Sequence, residues 1–205
     1  MLKIKSMLKN HNKFLLTQSL LSSWQWLLIN GKMDDFIKTL NREGIQKNKA
    51  MLDGIKFEGM IQACCEGNYP ESNHEWYKPV TEIADIVRGG AYQVKLSKDI
   101  EVNGVSFVLY GIFDFLKEGV IYDTKFSKTY SVGKYLTSPQ HPMYFELCPE
   151  AYAFEYLISD GKWVYKEKYV PEQCEPIDRI ITPFMDFLDK FNLVEIYCDK
   201  WRSKY

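Results

Sequence analysis

The stretch Gly111-Ile112-Phe113-Asp114-Phe115-Leu116-Lys117-Glu118-Gly119-Val120-Ile121-Tyr122-Asp123-Thr124-Lys125 decides how this chain is read. Two apolar runs flank a tight turn at Lys117-Glu118-Gly119, so the pattern predicts two adjacent strands. Only Asp114, Asp123 and Lys125 place charge at their interior positions. Charged side chains are rare inside buried strands unless they pair with one another or hold a metal. The stretch is therefore a candidate site.

Turn parity sets its geometry. A two-residue loop, Glu118-Gly119, or a four-residue loop around it puts Asp114 directly across from Asp123 on one face, whereas a three-residue loop puts them on opposite faces. Lys125 follows Asp123 by two residues and shares its face in any register. Two carboxylates so close repel each other, so a positive group must lie between them. A hard divalent cation that prefers oxygen ligands, Mg²⁺ or Mn²⁺, meets that need. The backbone carbonyl of Thr124 and a further acid would complete the protein's share of the shell. Such an ion lowers the pKa of its bound water and stabilises charge on a pentacoordinate phosphorus, with Lys125 holding the water. The Asp-x-Lys triplet alone is a weak signal, because Asp160-Gly161-Lys162 repeats it in a turn with no acidic strand beside it.

Outward from the hairpin, apolar spacing predicts helices over 15–30, 33–40, 48–65 and 80–90, the first ending at Asn30-Gly31. Strands follow over 91–96 and 101–102, turning at Asn103-Gly104, then over 105–116 and 120–126. Ser138-Pro139 opens a helix that is kinked at Pro149 and resumes to Ile158. A late edge strand spans 163–169 and an amphipathic helix 177–191. Strands bracketed by helices predict an α/β (α+β layered) fold, a central mixed β-sheet flanked by helices.

The chain has 205 residues, which fits one domain over 1–205 with its core at about 15–190. The net charge of −1 gives no whole-molecule field toward nucleic acid. Local basic patches remain: Lys3, Lys5, Lys9 and Lys13; Lys125, Lys128 and Lys134; Lys200, Arg202 and Lys204. Each taken alone reads as solvated lysines. Five cysteines, Cys64, Cys65, Cys148, Cys174 and Cys198, form no C-x-x-C pair and read as reduced thiols, Cys64 and Cys65 as core thiols. The opening residues are too polar for a signal segment, and no apolar run reaches membrane-spanning length. A cytoplasmic protein without a membrane partner is expected. His74 and His141 read as rim histidines.

Together these residues resemble the PD-(D/E)XK nuclease superfamily, within it the RecB-like branch that includes phage-type exonucleases. Gly-Ile-Phe-Asp ending at Asp114 is similar to the branch's second motif, and Asp123-Thr124-Lys125 to its third. Gln140-His141-Pro142-Met143-Tyr144 resembles its Gln-x-x-x-Tyr motif, one helical turn apart. Gly54-Ile55-Lys56-Phe57-Glu58 resembles the first, with Glu58 where His is usual. Thr17-Gln18-Ser19-Leu20-Leu21-Ser22-Ser23-Trp24 resembles the serine-bearing helix that opens many members. The resemblance implies a restriction-endonuclease-like fold and Mg²⁺-dependent hydrolysis of DNA that leaves 5′-phosphates. It implies Asp114, Asp123 and Glu58 as metal ligands with the Thr124 carbonyl, Lys125 as the water-orienting group, Gln140 as a hydrogen-bonding support and Tyr144 as a contact to the strand. On spacing alone Gln140 and Tyr144 read as a helix-cap glutamine and a core tyrosine. Members acting in CRISPR adaptation carry an iron–sulfur cluster on four cysteines. No cysteine precedes Gly54 here, and Cys174 and Cys198 lack close partners, so no cluster is expected.

Three functions fit this reading. One is an exonuclease of phage or bacterial recombination or repair, whose partner class includes a single-strand annealing protein. The others are a structure-selective or restriction-type endonuclease, and a nucleic-acid-binding accessory protein on a nuclease fold. The intact Asp114, Asp123 and Lys125 argue against the last, because an inactive descendant gains nothing from buried charge.

Overall fold

A computed structural model describes residues 13–44 and 46–203. Lys3, Lys5, Lys9 and Lys204, and with them much of two basic patches, lie outside the described residues. The elements are β1 (Phe14–Thr17), α1 (Gln18–Asn30), α2 (Met33–Leu40), α3 (Lys49–Cys65), α4 (Tyr77–Val87), β2 (Ala91–Val102), β3 (Val105–Lys117) and β4 (Val120–Phe126). Then come α5 (Gln140–Leu147), β5 (Ala153–Ser159), β6 (Val164–Tyr169), a 3-10 turn (Pro171–Gln173), α6 (Asp178–Lys190) and α7 (Val194–Lys200). Seven helices flank one mixed six-stranded sheet among the described residues, the α/β layered fold that the sequence predicts and one consistent with a restriction-endonuclease-like nuclease fold.

Both hairpins that meet at β3 turn on two residues. Asn103 and Gly104 have φ of 55° and 75°, and Glu118 and Gly119 have 50° and 76°. Left-handed φ at both central positions is the turn whose twist matches the flanking strands. The even-numbered turn is the one that the candidate site requires, and Phe115, Leu116 and Lys117 pair with Tyr122, Ile121 and Val120.

β3 positions the site by how its two edges are used. One edge pairs with β2 along nearly its whole length. The other is divided: β1 runs parallel to it over Phe107 to Tyr110, and β4 antiparallel to it over Phe115 to Lys117. Residues 111–114 on that edge pair with neither strand, so the sheet forks there. A fork between neighbouring strands is where open α/β sheets bind ligands.

The fork coincides with a change of face. The β2–β3 ladder has no pair joining Gln93 to Asp114, and Gln93 is left-handed at φ 52°. Before this break Phe107, Leu109 and Phe113 enter the larger core, with Leu20, Trp24, Tyr144 and Phe184 from α1, α5 and α6. After it Phe115 enters the smaller core on the opposite face, with Phe57, Ile61, Val80 and Ile83 from α3 and α4. Asp114 sits at the inversion, with access to both layers.

Three elements differ from the sequence expectation. Residues 14–17 are a strand, and α1 starts only at Gln18, capped by the Thr17 hydroxyl, which accepts from the Leu20 amide at 3.3 Å. A four-residue buried strand followed at once by a helix leaves no break in apolar spacing to reveal it. Residues 138–158 are not one kinked helix: α5 stops at Leu147, two residues before Pro149, and residues 153–159 form β5 between β4 and β6. A central strand buried on both faces is continuously apolar and matches a buried helix in pattern. Strand β2 is continuous over 91–102 rather than interrupted after Leu96.

Candidate active site

A cleft of ≈ 310 Å³ opens at the fork in the sheet, and Asp114, Asp123, Lys125, Gln140 and Tyr144 all line it. The N-terminus of α1 closes it with Thr17, Gln18 and Ser19, and β3 supplies Tyr110, Gly111 and Ile112.

Asp123 is the most enclosed acid, 2 % exposed. Its Oδ1 accepts from Gln140 Nε2, and its Oδ2, which has no hydrogen bond of normal geometry, has Lys125 Nζ at 2.6 Å as ion-pair partner. Gln140 is itself held through Oε1, which accepts from the hydroxyl of buried Tyr156 at 3.4 Å. Glutamine therefore acts as a fixed donor to one carboxylate oxygen and leaves the other to cations.

Asp114 works sideways. The ladder between β3 and β4 ends at Phe115 and Tyr122, and the Asp114 Oδ2 takes the place of the next rung, accepting from the Thr124 amide at 2.8 Å and the Thr124 hydroxyl at 3.1 Å. Asp114 thus pairs with the residue after Asp123 instead of standing directly across from Asp123. A strand residue directs its N–H and C=O to the same edge, so the Thr124 carbonyl also faces the fork. Burial pushes the Asp114 carboxyl well above the ordinary carboxylate range; the Asp123 charge adds to the rise, Lys125 opposes it and Glu58 adds a smaller upward push. Burial alone would lower the Lys125 ammonium, but Asp123 and Asp114 outweigh it and hold it above its ordinary value, so it stays charged.

Glu58, on the face opposite Gln140, is brought near but not into the cluster. Its Oε1 accepts from Tyr92 OH at 3.1 Å and Gln93 Nε2 at 2.7 Å, both on β2. The left-handed Gln93 backbone lies at the skipped rung opposite Asp114, a strained position of the kind found beside functional groups. Among the described residues, no three His, Cys, Asp or Glu side chains are grouped as a ready metal site. Donor chemistry fits a hard cation at Asp114 and Asp123: two enclosed carboxylates, one with an oxygen lacking a normal hydrogen bond, beside a carbonyl turned to the same gap.

Tyr144 is 4 % exposed and packs 4.5 Å from the Phe113 ring, its hydroxyl donating to the Ile112 carbonyl at 2.8 Å. That bond satisfies backbone on the unpaired edge of β3. Gly111 makes the approach possible, since a Cβ there would lie 2.9 Å from Tyr144 Cε1 and 2.7 Å from Leu147 Cδ1. His141 is not a rim residue: it is 3 % exposed and stacked on Tyr169 at 4.1 Å. His74 is half-buried, and its Nδ1 accepts from the Trp76 amide. The described lysines of the basic patches are mostly engaged locally, Lys13 with Asp99, Lys200 with Asp199 and Lys134 with Ser127 and Thr129.

Sequence reading missed Tyr92, Gln93 and Tyr156. Each acts through another residue, and no local pattern marks such a role. The left-handed Gln93 has no sequence sign, although β2's place opposite β3 followed from the Asn103-Gly104 turn.

Neither a protein-family model nor a curated protein sequence matches the chain. Among solved structures, the crystal structure of SSO0001 is similar over 91 % of this chain and 84 % of that one, at 14 % identity and a TM-score of 0.51. The crystal structure of LHK-Exo in complex with dAMP matches over 90 % of this chain and 92 % of that one, at 13 % identity and a TM-score of 0.46. The first likeness shows a shared fold alone, and the second is too loose to add to it. No helix among the described residues is long and apolar enough to cross a membrane.

Proposed function

We propose that this protein is a metal-dependent nuclease that hydrolyses DNA phosphodiester bonds, acting as an exonuclease that leaves 5′-phosphates. The observation that carries the reading is the convergence of Asp114, Asp123, Lys125 and Gln140 in one cleft from two strands and a helix. Buried like charges are kept only where a cation or a reaction uses them.

Asp114 and Asp123, with the Thr124 carbonyl, would hold Mg²⁺ or Mn²⁺, and Glu58 would tune the site from the opposite layer. The bound ion would supply Lewis acidity toward a phosphoryl oxygen and a more acidic water. Lys125, fixed by Asp123 at 2.6 Å, holds its ammonium where negative charge develops and orients the attacking water. Gln140 keeps the Asp123 carboxylate in one rotamer, so that its second oxygen stays directed at Lys125 and the proposed cation. Thr17, Gln18 and Ser19 bring the start of α1 to the same opening, and the positive end of a helix is a favourable place for a phosphate.

The test is degradation of end-labelled linear duplex in the presence of Mg²⁺. Wild-type protein is expected to release mononucleotides and to leave closed circular DNA intact, while Asp123→Asn loses at least about a hundredfold of the rate, the scale of a lost electrostatic contact to the reacting group. Linear DNA that survives wild type and Asp123→Asn equally overturns the reading.

A further inference from the structure

A second cavity, of ≈ 450 Å³, lies beside the catalytic cleft and is walled by the same two helices. On α5, Gln140 and Tyr144 face the cleft while His141 and Pro142 face the second cavity. On α1, Gln18 and Ser19 line the cleft, and Trp24 and Gln25 line the cavity. Seven residues separate Gln18 from Gln25, about 10 Å along the helix axis. Stacked strand advances roughly 3.4 Å per nucleotide, so the two helix positions are spaced by about three nucleotides.

Its lining is half satisfied. Trp24 is 5 % exposed, edge-on to the Phe184 ring at 5.6 Å, and its indole Nε1 has no hydrogen-bond partner. That donor is sealed inside the wall, so the Trp24 ring offers the cavity an apolar surface. Around the mouth, the heads of Gln25, Gln173 and Arg179 take part in no hydrogen bond or ion pair among the described residues. Apolar walls with a few unspent donors and acceptors are the usual form of a small-molecule site.

One wall is a loop. Leu136 lines the cavity yet is 65 % exposed, on the loop that joins β4 to α5. That loop is strapped at its base: Glu167 Oε1 accepts from Tyr130 OH at 2.7 Å and from the Gly133 amide at 2.8 Å, and Lys134 Nζ donates to Ser127 Oγ at 2.7 Å. The leucine thus stands at the cavity mouth, free to pack on an apolar face. Tyr135 of the same loop stacks on Tyr156, which holds Gln140, and so ties the loop to the catalytic cluster.

We infer that this second cavity receives a nucleobase of the strand bound in the cleft. A base has flat faces for Leu136 and Arg179, and acceptors and donors on its edge for Gln25 and Gln173. The inference rests on the nuclease reading. The same chemistry is offered by a free mononucleotide, so the experiment separates the two sources.

The experiment measures anisotropy of a labelled single-stranded oligonucleotide bound to the full chain in EDTA. It is repeated with oligonucleotides made abasic at one position after another, and with the exposed-rim variants Leu136→Asp and Arg179→Glu. A base seated in the cavity predicts roughly tenfold weaker binding when one particular position is abasic, and a similar loss for Leu136→Asp. Hydrolysis of bis(p-nitrophenyl) phosphate with Mg²⁺, which carries no base, is expected to be the same in Leu136→Asp as in wild type. Equal affinity at every abasic position, or no effect of Leu136→Asp and Arg179→Glu, overturns the inference while leaving the nuclease reading intact. Saturable binding of dAMP that Leu136→Asp abolishes, with no abasic effect, also overturns it and assigns the cavity to a free nucleotide. Labelled linear duplex left uncleaved by wild type with Mg²⁺ overturns the nuclease reading instead.

Discussion

At the residue scale the site holds two carboxylates, each fixed by a neutral neighbour. Gln140 holds Asp123, Tyr156 holds Gln140, and Thr124 holds Asp114. His141, one position from Gln140, shows what that enclosure costs. Burial lowers its pKa from the ordinary 6.5 to about 4, against a smaller upward push from Glu167. Since the folded value lies below the unfolded one, the unfolded chain takes up the proton first. The imidazole therefore has no effect above the unfolded pKa and removes stability as pH falls from there toward about 4. Urea denaturation at about pH 7 and pH 5 is expected to show an acid loss that His141→Phe reduces by about 2 kcal/mol. Equal pH sensitivity in the two proteins would contradict the assignment.

At the element scale the β3–β4 hairpin decides which residues meet. Its turn carries a glutamate in left-handed backbone at Glu118, where Asn or Gly is preferred. Glu118→Asn is expected to stabilise the protein by about 0.5–1 kcal/mol. Gly119→Ala should act in the opposite sense, because φ is 76° and a Cβ would lie 2.9 Å from Tyr152 Cδ1. A loss of about 1–3 kcal/mol is expected there. Thermal melts of the two variants give the comparison, and a shift of the same sign in both would contradict the turn geometry.

At the scale of the whole molecule, the two ends of the described chain close the sheet. Edge strand β1 pairs with β3, and the segment after α7 covers its outer side: Leu15 N donates to the Trp201 carbonyl at 2.6 Å, and Ser203 N to the Lys13 carbonyl at 2.8 Å. Trp201 is buried, donates from Nε1 to the Leu40 carbonyl at 2.8 Å and lies under the Arg42 guanidinium at 4.2 Å. It ties α2, α7 and β1 together, and β1 leads directly into the Thr17 cap at the cleft. Trp201→Ala is expected to cost about 3–5 kcal/mol in urea denaturation and to speed hydrogen exchange at the Leu15 amide. A variant with unchanged exchange at Leu15 would show that the clasp does not hold the strand.

The sequence by itself left the parity of the β3–β4 turn open, but determined the hairpin, the helices α2 to α4 and α6, and the charged residues Asp114, Asp123 and Lys125 that line the cleft. These depend on local signals: turn dipeptides, alternation, and charges set among apolar neighbours. It left β1 and β5 hidden, because a short strand running into a helix and a strand buried on both faces lack a period of their own. Only the tertiary structure decided that β3 shares one edge between β1 and β4. That division opens the sheet at residues 111–114, and the inversion at Asp114 places the acid between Asp123 in one layer and Glu58 in the other. Which strands share an edge is settled by packing between residues far apart in the chain, and no window of sequence contains it.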